Sequence, residues 1–322
     1  MMRTAAFWFT ALALGVALNA AAQDYPNRTI RLIVPFSPGG ATDTPARLVA
    51  PKLSEALGQP VVVENRPGAG GIIGIEAAAR AQPDGYTMLV ATNGELVMNP
   101  SIYPKLPYDP FKDFIPVSIM VESPMLLVVP ATSQFNSLGD IITAAKAKPG
   151  AVTYSTAGIG STSHVLTEML AAQAGIQLLH VPYKGGAPAS QAVATGEVAM
   201  ALLNLGSAVN FVKGGKAKAI AVTSAKRHPR FSDWPTAIEG GAPGFADAIW
   251  IGMAAPAGVP REIVSRMSAE VAKALGAPDV RERLAALGAD PVGTTPEEAA
   301  ARIKSEFPRY AAAIKKAGIR PR

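Results

Sequence analysis

From Thr29 onward the chain alternates short β-branched runs with helix-period stretches, and this alternation restricts its fold more than any other feature. Residues 29–36 have strand length and stop at Ser37-Pro38-Gly39-Gly40. A helical pattern runs from about Thr42 to Leu57 and closes on Gly58 as a C′ residue. Strand 60–64, helix 70–81, a Pro83-Asp84-Gly85 turn and strand 86–92 complete a β-α-β-α-β unit. Such a unit calls for a parallel sheet covered by its crossover helices. The rhythm restarts with strands 124–130, 152–156, 177–182, 198–203 and 219–223, and helices near 137–148, 162–174, 187–195 and 207–213. After strand 249–255 the chain reads as helical to its end, over 261–275, 279–287 and 296–316. The expected class is α/β, with two units and a helical tail, which suits the prior of roughly two domains for this length.

Residues 1–22 stand apart. Arg3 is the only charge there, followed by the apolar run 5–18 and then Asn19-Ala20-Ala21-Ala22. A basic start, an apolar stretch and a small-residue end match a secretory signal peptide with cleavage after Ala22. The stretch is shorter than the ~20 residues that span a bilayer. The mature chain is therefore expected to be exported to the periplasm. It has no cysteine, so thiolate nucleophiles, zinc fingers and iron–sulfur clusters are excluded, and an oxidising compartment would add no disulfide to it. With 49% hydrophobic and 17% charged residues it is not a disordered chain. The net charge of +6 is dispersed. Its densest stretch, Lys213, Lys216, Lys218, Lys226, Arg227 and Arg230, lacks the interleaved aromatics of a nucleic-acid footprint, so no nucleic-acid partner is expected.

Enzyme motifs fail on inspection. Gly68-Ala69-Gly70-Gly71-Ile72-Ile73-Gly74 follows a strand and opens a helix, but the G-x-G-x-x-G register is broken, so it reads as a tight connection and no nucleotide cofactor is expected. Ser161 and His164 lie close in sequence, yet no G-x-S-x-G elbow exists and the histidine is too near the serine for a triad, leaving a secreted hydrolase as the remote alternative. His164 and Glu168 share a helical face but supply only two ligands, so no metal site is expected; His180 and His228 read as structural.

Two matched loops remain. Phe36-Ser37-Pro38-Gly39-Gly40-Ala41-Thr42-Asp43 and Ser155-Thr156-Ala157-Gly158-Ile159-Gly160-Ser161-Thr162 each run from a strand end into a helix. Both are rich in Gly, Ser and Thr, so amides and hydroxyls converge at a positive helix end, the anatomy of an anion site. In open α/β sheets ligands bind beyond the carboxyl ends of strands, where both loops lie. One loop per unit points to a ligand clamped between domains.

These residues carry a resemblance. The segments Pro35 to Asp43 with Ala46-Arg47, Glu64-Asn65-Arg66-Pro67-Gly68-Ala69-Gly70-Gly71, Pro83-Asp84-Gly85-Tyr86-Thr87, Tyr108-Asp109-Pro110, His180-Val181-Pro182-Tyr183-Lys184-Gly185 and Ala221-Val222-Thr223-Ser224 resemble the Bug family, the periplasmic substrate-binding receptors of tripartite tricarboxylate transporters. The resemblance covers essentially the whole mature chain. It implies a type II periplasmic-binding-protein fold: lobe 1 from residues 23–122 and 246–322, lobe 2 from 123–245, and a ligand cleft between them. It further implies a small organic acid as ligand, no catalysis, no cofactor, and a monomer that delivers its ligand to transporter membrane subunits or, alternatively, serves a sensor protein.

Carried over by position, Phe36, Ser37, Pro38, Gly39, Gly40, Thr42 and Asp43 form the first wall, with Asn93. Thr156, Gly160, Ser161, Thr162, His164 and Asn204 form the second. Asp43 is expected to cap its helix or orient a water, because it would repel a carboxylate. The sequence departs from the family where an aspartate and leucine usually follow the Ala187-Pro188-Ala189 segment, here Ala192 and Val193, and where an acid is usual, here Ala199; Ala157 replaces a frequent serine. Two missing carboxylates argue for a plain or aromatic acid over an amino acid.

Overall fold

A computed structural model describes residues 25–320; the signal-peptide reading of residues 1–22 lies outside the described residues. Strand β1 (Ile30–Val34) pairs in parallel with β2 (Val61–Asn65) and β3 (Thr87–Thr92). Helices α1 (Asp43–Leu57) and α2 (Ile72–Ala79) make the two crossovers, and α1 stops at Gly58 in the left-handed conformation, as its sequence implies. All six residues of β3 are buried, consistent with a strand covered on both faces. Beyond β3 come a π-helical turn (Gly94–Met98) and the short α3 (Asn99–Ile102).

Strand β4 (Phe114–Pro130) joins the two halves of the molecule. Further along the chain lie α4 (Leu138–Ala147), β5 (Thr153–Thr156), α5 (Thr162–Ala174), β6 (Leu179–Pro182), α6 (Gly186–Ala194), β7 (Met200–Asn204), α7 (Leu205–Lys213), β8 (Ala217–Val222) and β9 (Ala248–Pro256). From Phe114 to Pro124, β4 runs antiparallel to β9; from Met125 on it pairs with β7 and β8. One sheet therefore reads β2-β1-β3-β9-β4 and the other β8-β4-β7-β5-β6, with β5, β6 and β7 parallel. The expected start of this strand at 124 omits its first half. Pro116, Ser118 and Glu122 interrupt the apolar run, and the ladder accommodates them with register shifts at Pro116/Ser118 and Ile119/Val121.

The helical tail comprises α8 (Arg261–Gly276), α9 (Pro278–Ala286) and α10 (Pro296–Ala317), with a two-residue strand β10 (Asp290–Pro291) against Glu122 and Val121. Helix α10 opens with a Thr295–Glu298 capping box and packs along β4, the π-helical turn and α5. Arg302 bonds Glu122 (2.7 Å) on β4, and Arg309 (2.9 Å) and Tyr310 (2.5 Å) bond Asp247 just before β9. One helix thus grips both segments that pass between the sheets. Trp250, 1% exposed, adds its indole N–H to Glu306 (2.8 Å).

The two lobes are closed on each other. Tyr103 donates to the Ile159 carbonyl (2.9 Å) and Ser37 Oγ to the Lys184 carbonyl (2.7 Å). Gly70, at φ +64°, sits so near the opposite lobe that a Cβ there would lie 2.1 Å from the Ile159 carbonyl oxygen. The overlap is with backbone, which cannot rotate away. Gly70→Ala is expected to leave the far-ultraviolet circular dichroism unchanged but to hold the lobes apart, so that small-angle scattering, under conditions that close the wild-type chain, reports a larger radius of gyration for the variant. Equal radii would contradict this contact.

Candidate functional site

Where β1 ends, the chain turns at Ser37-Pro38-Gly39 into α1. Asp43 organises that turn: it accepts hydrogen bonds from the Gly39 amide (2.8 Å), Arg47 Nε (2.9 Å) and Asn65 Nδ2 (2.9 Å). Burial on its own would raise its carboxyl, but the bonds from Arg47, Gly39 and Asn65 together hold it below the ordinary carboxylate range. With Asp43 stabilising the turn, the Thr42 hydroxyl makes no capping bond and faces inward. Across the cleft, Ser161 caps α5 by accepting from the His164 amide (3.4 Å) while its hydroxyl donates to the Gly158 carbonyl (2.7 Å).

Between these loops lies a small cavity of about 40 Å³. Phe36, Ala41, Thr42, Thr92 and Glu95 line it from one lobe, and Ala157, Ser161, Thr162, Ser163 and Gly186 from the other. Leu202, Leu203 and Asn204 at the end of β7, with Met125 and Ile249, complete the lining, apolar except for Asn204. Among the described residues, Glu95 is the one ionisable side chain in this lining. Two buried side-chain atoms in the lining have no hydrogen-bond partner, Thr42 Oγ1 and Glu95 Oε1. An unsatisfied buried polar group costs about 1–3 kcal/mol, so two on side chains that line one cavity point to a polar ligand group there.

Of the residues named from sequence, Phe36, Thr42, Ser161, Thr162 and Asn204 line this cavity. The others stand around it. Ser37 ties the lobes through Lys184, Pro38 and Gly39 sit exposed at the rim, and Gly40 packs against Gly186. Asn93 and Gly160 are interlobe packing positions: Asn93 Oδ1 accepts from Thr162 Oγ1 (2.9 Å), and a Cβ on Gly160 would lie 2.4 Å from Asn99 Oδ1. Thr156 bonds His180 Nε2 (2.6 Å). His164 lines a separate cavity with Ile159, Glu168, His180 and Ile319. Its Nδ1 accepts from the Gly160 amide (3.2 Å), and its ring stacks on His180 at 4.3 Å. Ser161 and the His164 ring thus face different cavities.

Ala192 and Val193 are buried in the apolar cluster of lobe 2 with Leu126 and Leu203, and Ala199 packs against the main core. None of the three is in the cavity lining. Glu95 is, and sequence reasoning misses it. Its signal is present: a glutamate directly followed by Leu96-Val97-Met98, all buried, at the end of a buried strand.

Glu95 is fully buried. Its Oε2 accepts both the Thr92 amide (2.8 Å) and the Thr92 hydroxyl (2.6 Å). Burial nonetheless outweighs these bonds and pushes the carboxyl up from its ordinary 4.5 to about 7. Because the folded value is the higher one, the unfolded chain loses its proton first as pH rises. Stability is therefore lost progressively between about pH 4.5 and 7, reaching about 3 kcal/mol. Glu95→Gln is expected to raise the melting temperature at pH 8 and to change it little at pH 4.5. Equal effects at both pH values in a thermal melt would contradict the buried acid.

Comparison with known proteins agrees with the geometry. A model of the tripartite tricarboxylate transporter family receptor matches residues 45–319. Among solved structures, the R. palustris protein Rpa4515 with adipate is 38% identical, with a TM-score of 0.89 over 92% of this chain and 99% of that one. MatC (Rpa3494) from Rhodopseudomonas palustris with bound malate is 35% identical, with a TM-score of 0.87 over 90% of this chain and 100% of that one. The periplasmic binding protein BugD is 37% identical, with a TM-score of 0.88 over 92% of this chain and 100% of that one. The chain belongs to the tripartite tricarboxylate transporter receptor family, the Bug receptors whose loop motifs it carries.

Proposed function

We propose that this chain is a periplasmic solute receptor that takes a small organic carboxylate into the cavity between its lobes and presents it to a tripartite tricarboxylate-type membrane transporter. The observation that carries this reading is the pair of orphaned buried atoms, Thr42 Oγ1 and Glu95 Oε1, in one interlobe cavity. The starts of α1 and α5 reach the same cavity through Ala41, Thr42, Ser161, Thr162 and Ser163, which suits an anionic group. Adipate and malate, named with the two R. palustris structures, are both carboxylates.

Binding works by population shift. A ligand touching both walls makes more contacts in the closed arrangement than in an open one, so it favours closure by that difference. The closed surface is what the membrane subunits read. The protein acts as a monomer after cleavage at Ala22. Lobe 1 is residues 23–122 with 246–322 and lobe 2 residues 123–245, a division supported by the exchange of β4's partners between Pro124 and Met125. No chemical step is assigned, in keeping with the separation of Ser161 from the His164 ring by cavity.

A melting screen of the mature chain against mono-, di- and tricarboxylates tests the reading. A true ligand at 100 times its dissociation constant stabilises the receptor by about 2.7 kcal/mol, a shift of a few degrees. Thr42→Val, which keeps the shape but removes the hydroxyl, is expected to weaken that ligand about tenfold, the scale of one hydrogen bond. Flat melting curves across the whole panel would contradict the proposed function.

A further inference from the structure

The two orphans on cavity-lining side chains are chemically unlike. A threonine hydroxyl can donate or accept, whereas a glutamate can donate only when protonated. Glu95 Oε2 already accepts two hydrogen bonds from Thr92, so an acid proton belongs on Oε1, the atom with no partner, on a side chain that lines the cavity. An ionised Glu95 would meet a ligand carboxylate with no cation between them, since no Lys, Arg or His lines the cavity among the described residues. Two carboxylates that share a site hold one proton between them.

We propose that Glu95 is the specificity-determining residue of this receptor, donating an Oε1–H hydrogen bond to a ligand carboxylate so that capture of the anion takes up one proton. This rests on the carboxylate reading above and goes beyond it: the selected group is a single carboxylate without a cation of its own at this end, bound as half of an acid–carboxylate pair. Glu95's position above the ordinary carboxyl range agrees with the geometry.

The surroundings of Glu95 support a single titrating group. On the strand before it, β3 offers Thr92, and α5 offers Thr162. The segment after α3 offers the phenols of Tyr103 and Tyr108, and Tyr108 donates to the Glu95 carbonyl (3.1 Å). Both phenols are raised, first by burial and then by the Glu95 charge, Tyr103 to about 12 and Tyr108 higher, so neither titrates near neutrality. Helix α10 offers Tyr310, which receives the Asn93 amide (3.4 Å), while its Arg302, Glu306 and Arg309 pair with Glu122, Trp250 and Asp247.

The test compares wild type and Glu95→Gln with malate, adipate, benzoate and citrate at pH 6.5 and 8.5, by melting screen and then by calorimetry on each acid that binds. For a receptor that binds only with Glu95 protonated, the wild-type dissociation constant rises about twentyfold between the two pH values. Calorimetry in two buffers of different ionisation enthalpy reads uptake of close to one proton at pH 8.5. The amide of the Glu95→Gln variant keeps an N–H donor at every pH, so the variant is expected to bind with one affinity at both. A wild-type affinity that does not change with pH, or a pH dependence that survives in Glu95→Gln, would overturn the assignment while leaving carboxylate binding intact. Binding that strengthens at pH 8.5 would also overturn it, in favour of an ionised Glu95 taking a cationic group. No response to any of the acids, at either pH and in either protein, would overturn the carboxylate reading itself.

Discussion

The closed arrangement depends on the Thr162 hydroxyl, brought across the cleft by the first turn of α5. It donates to Asn93 Oδ1 (2.9 Å), lies 3.0 Å from Thr92 Oγ1 and receives the Gly94 amide (3.1 Å). All of these groups are buried, and in a low-dielectric setting such a network is strong when complete and costly when broken. Gly94 permits the approach, since a Cβ there would lie 2.7 Å from the Thr162 amide nitrogen. The buried Glu95 carboxyl joins the same network through the Thr92 hydroxyl. The proton affinity of that acid and the contact between lobes are thus parts of one structure.

Two acids next to the cleft illustrate how environment assigns roles to identical chemistry. Asp43 has Arg47, Asn65 and an amide around it, stays ionised and holds the α1 turn in shape without facing the cavity. Glu95 has the Thr92 hydroxyl and amide on one oxygen and no cation beside it, its other oxygen has no partner, and its side chain lines the cavity. Pairs of titratable groups pushed in opposite directions are a recurrent sign of a working site.

Much of this is legible in the sequence. The expected bounds of helix α5 match the observed ones, and the two Gly/Ser/Thr loops stand out because their composition states their backbone chemistry directly. Other features depend on tertiary contacts that a linear reading cannot supply. The first half of β4 is interrupted by Pro116 and Glu122, and only its neighbours β9 and β10 show that the bulged chain is a strand. His164 belongs to the ligand wall by its position at the head of α5, yet one helical position decides which side of the loop a side chain serves, and it faces His180. Glu95 escapes notice because a glutamate near a helix start is ordinarily a solvated residue; its meaning comes from its complete burial.

Whether the two orphaned oxygens meet a carboxylate is tested most directly by a crystal structure of the receptor with the acid that stabilises it most. The expected result is one carboxylate group within hydrogen-bond distance of both Thr42 Oγ1 and Glu95 Oε1, with the lobes closed and the Thr162 network intact. A ligand bound elsewhere, or one in the cavity that leaves both oxygens unpaired, would contradict it.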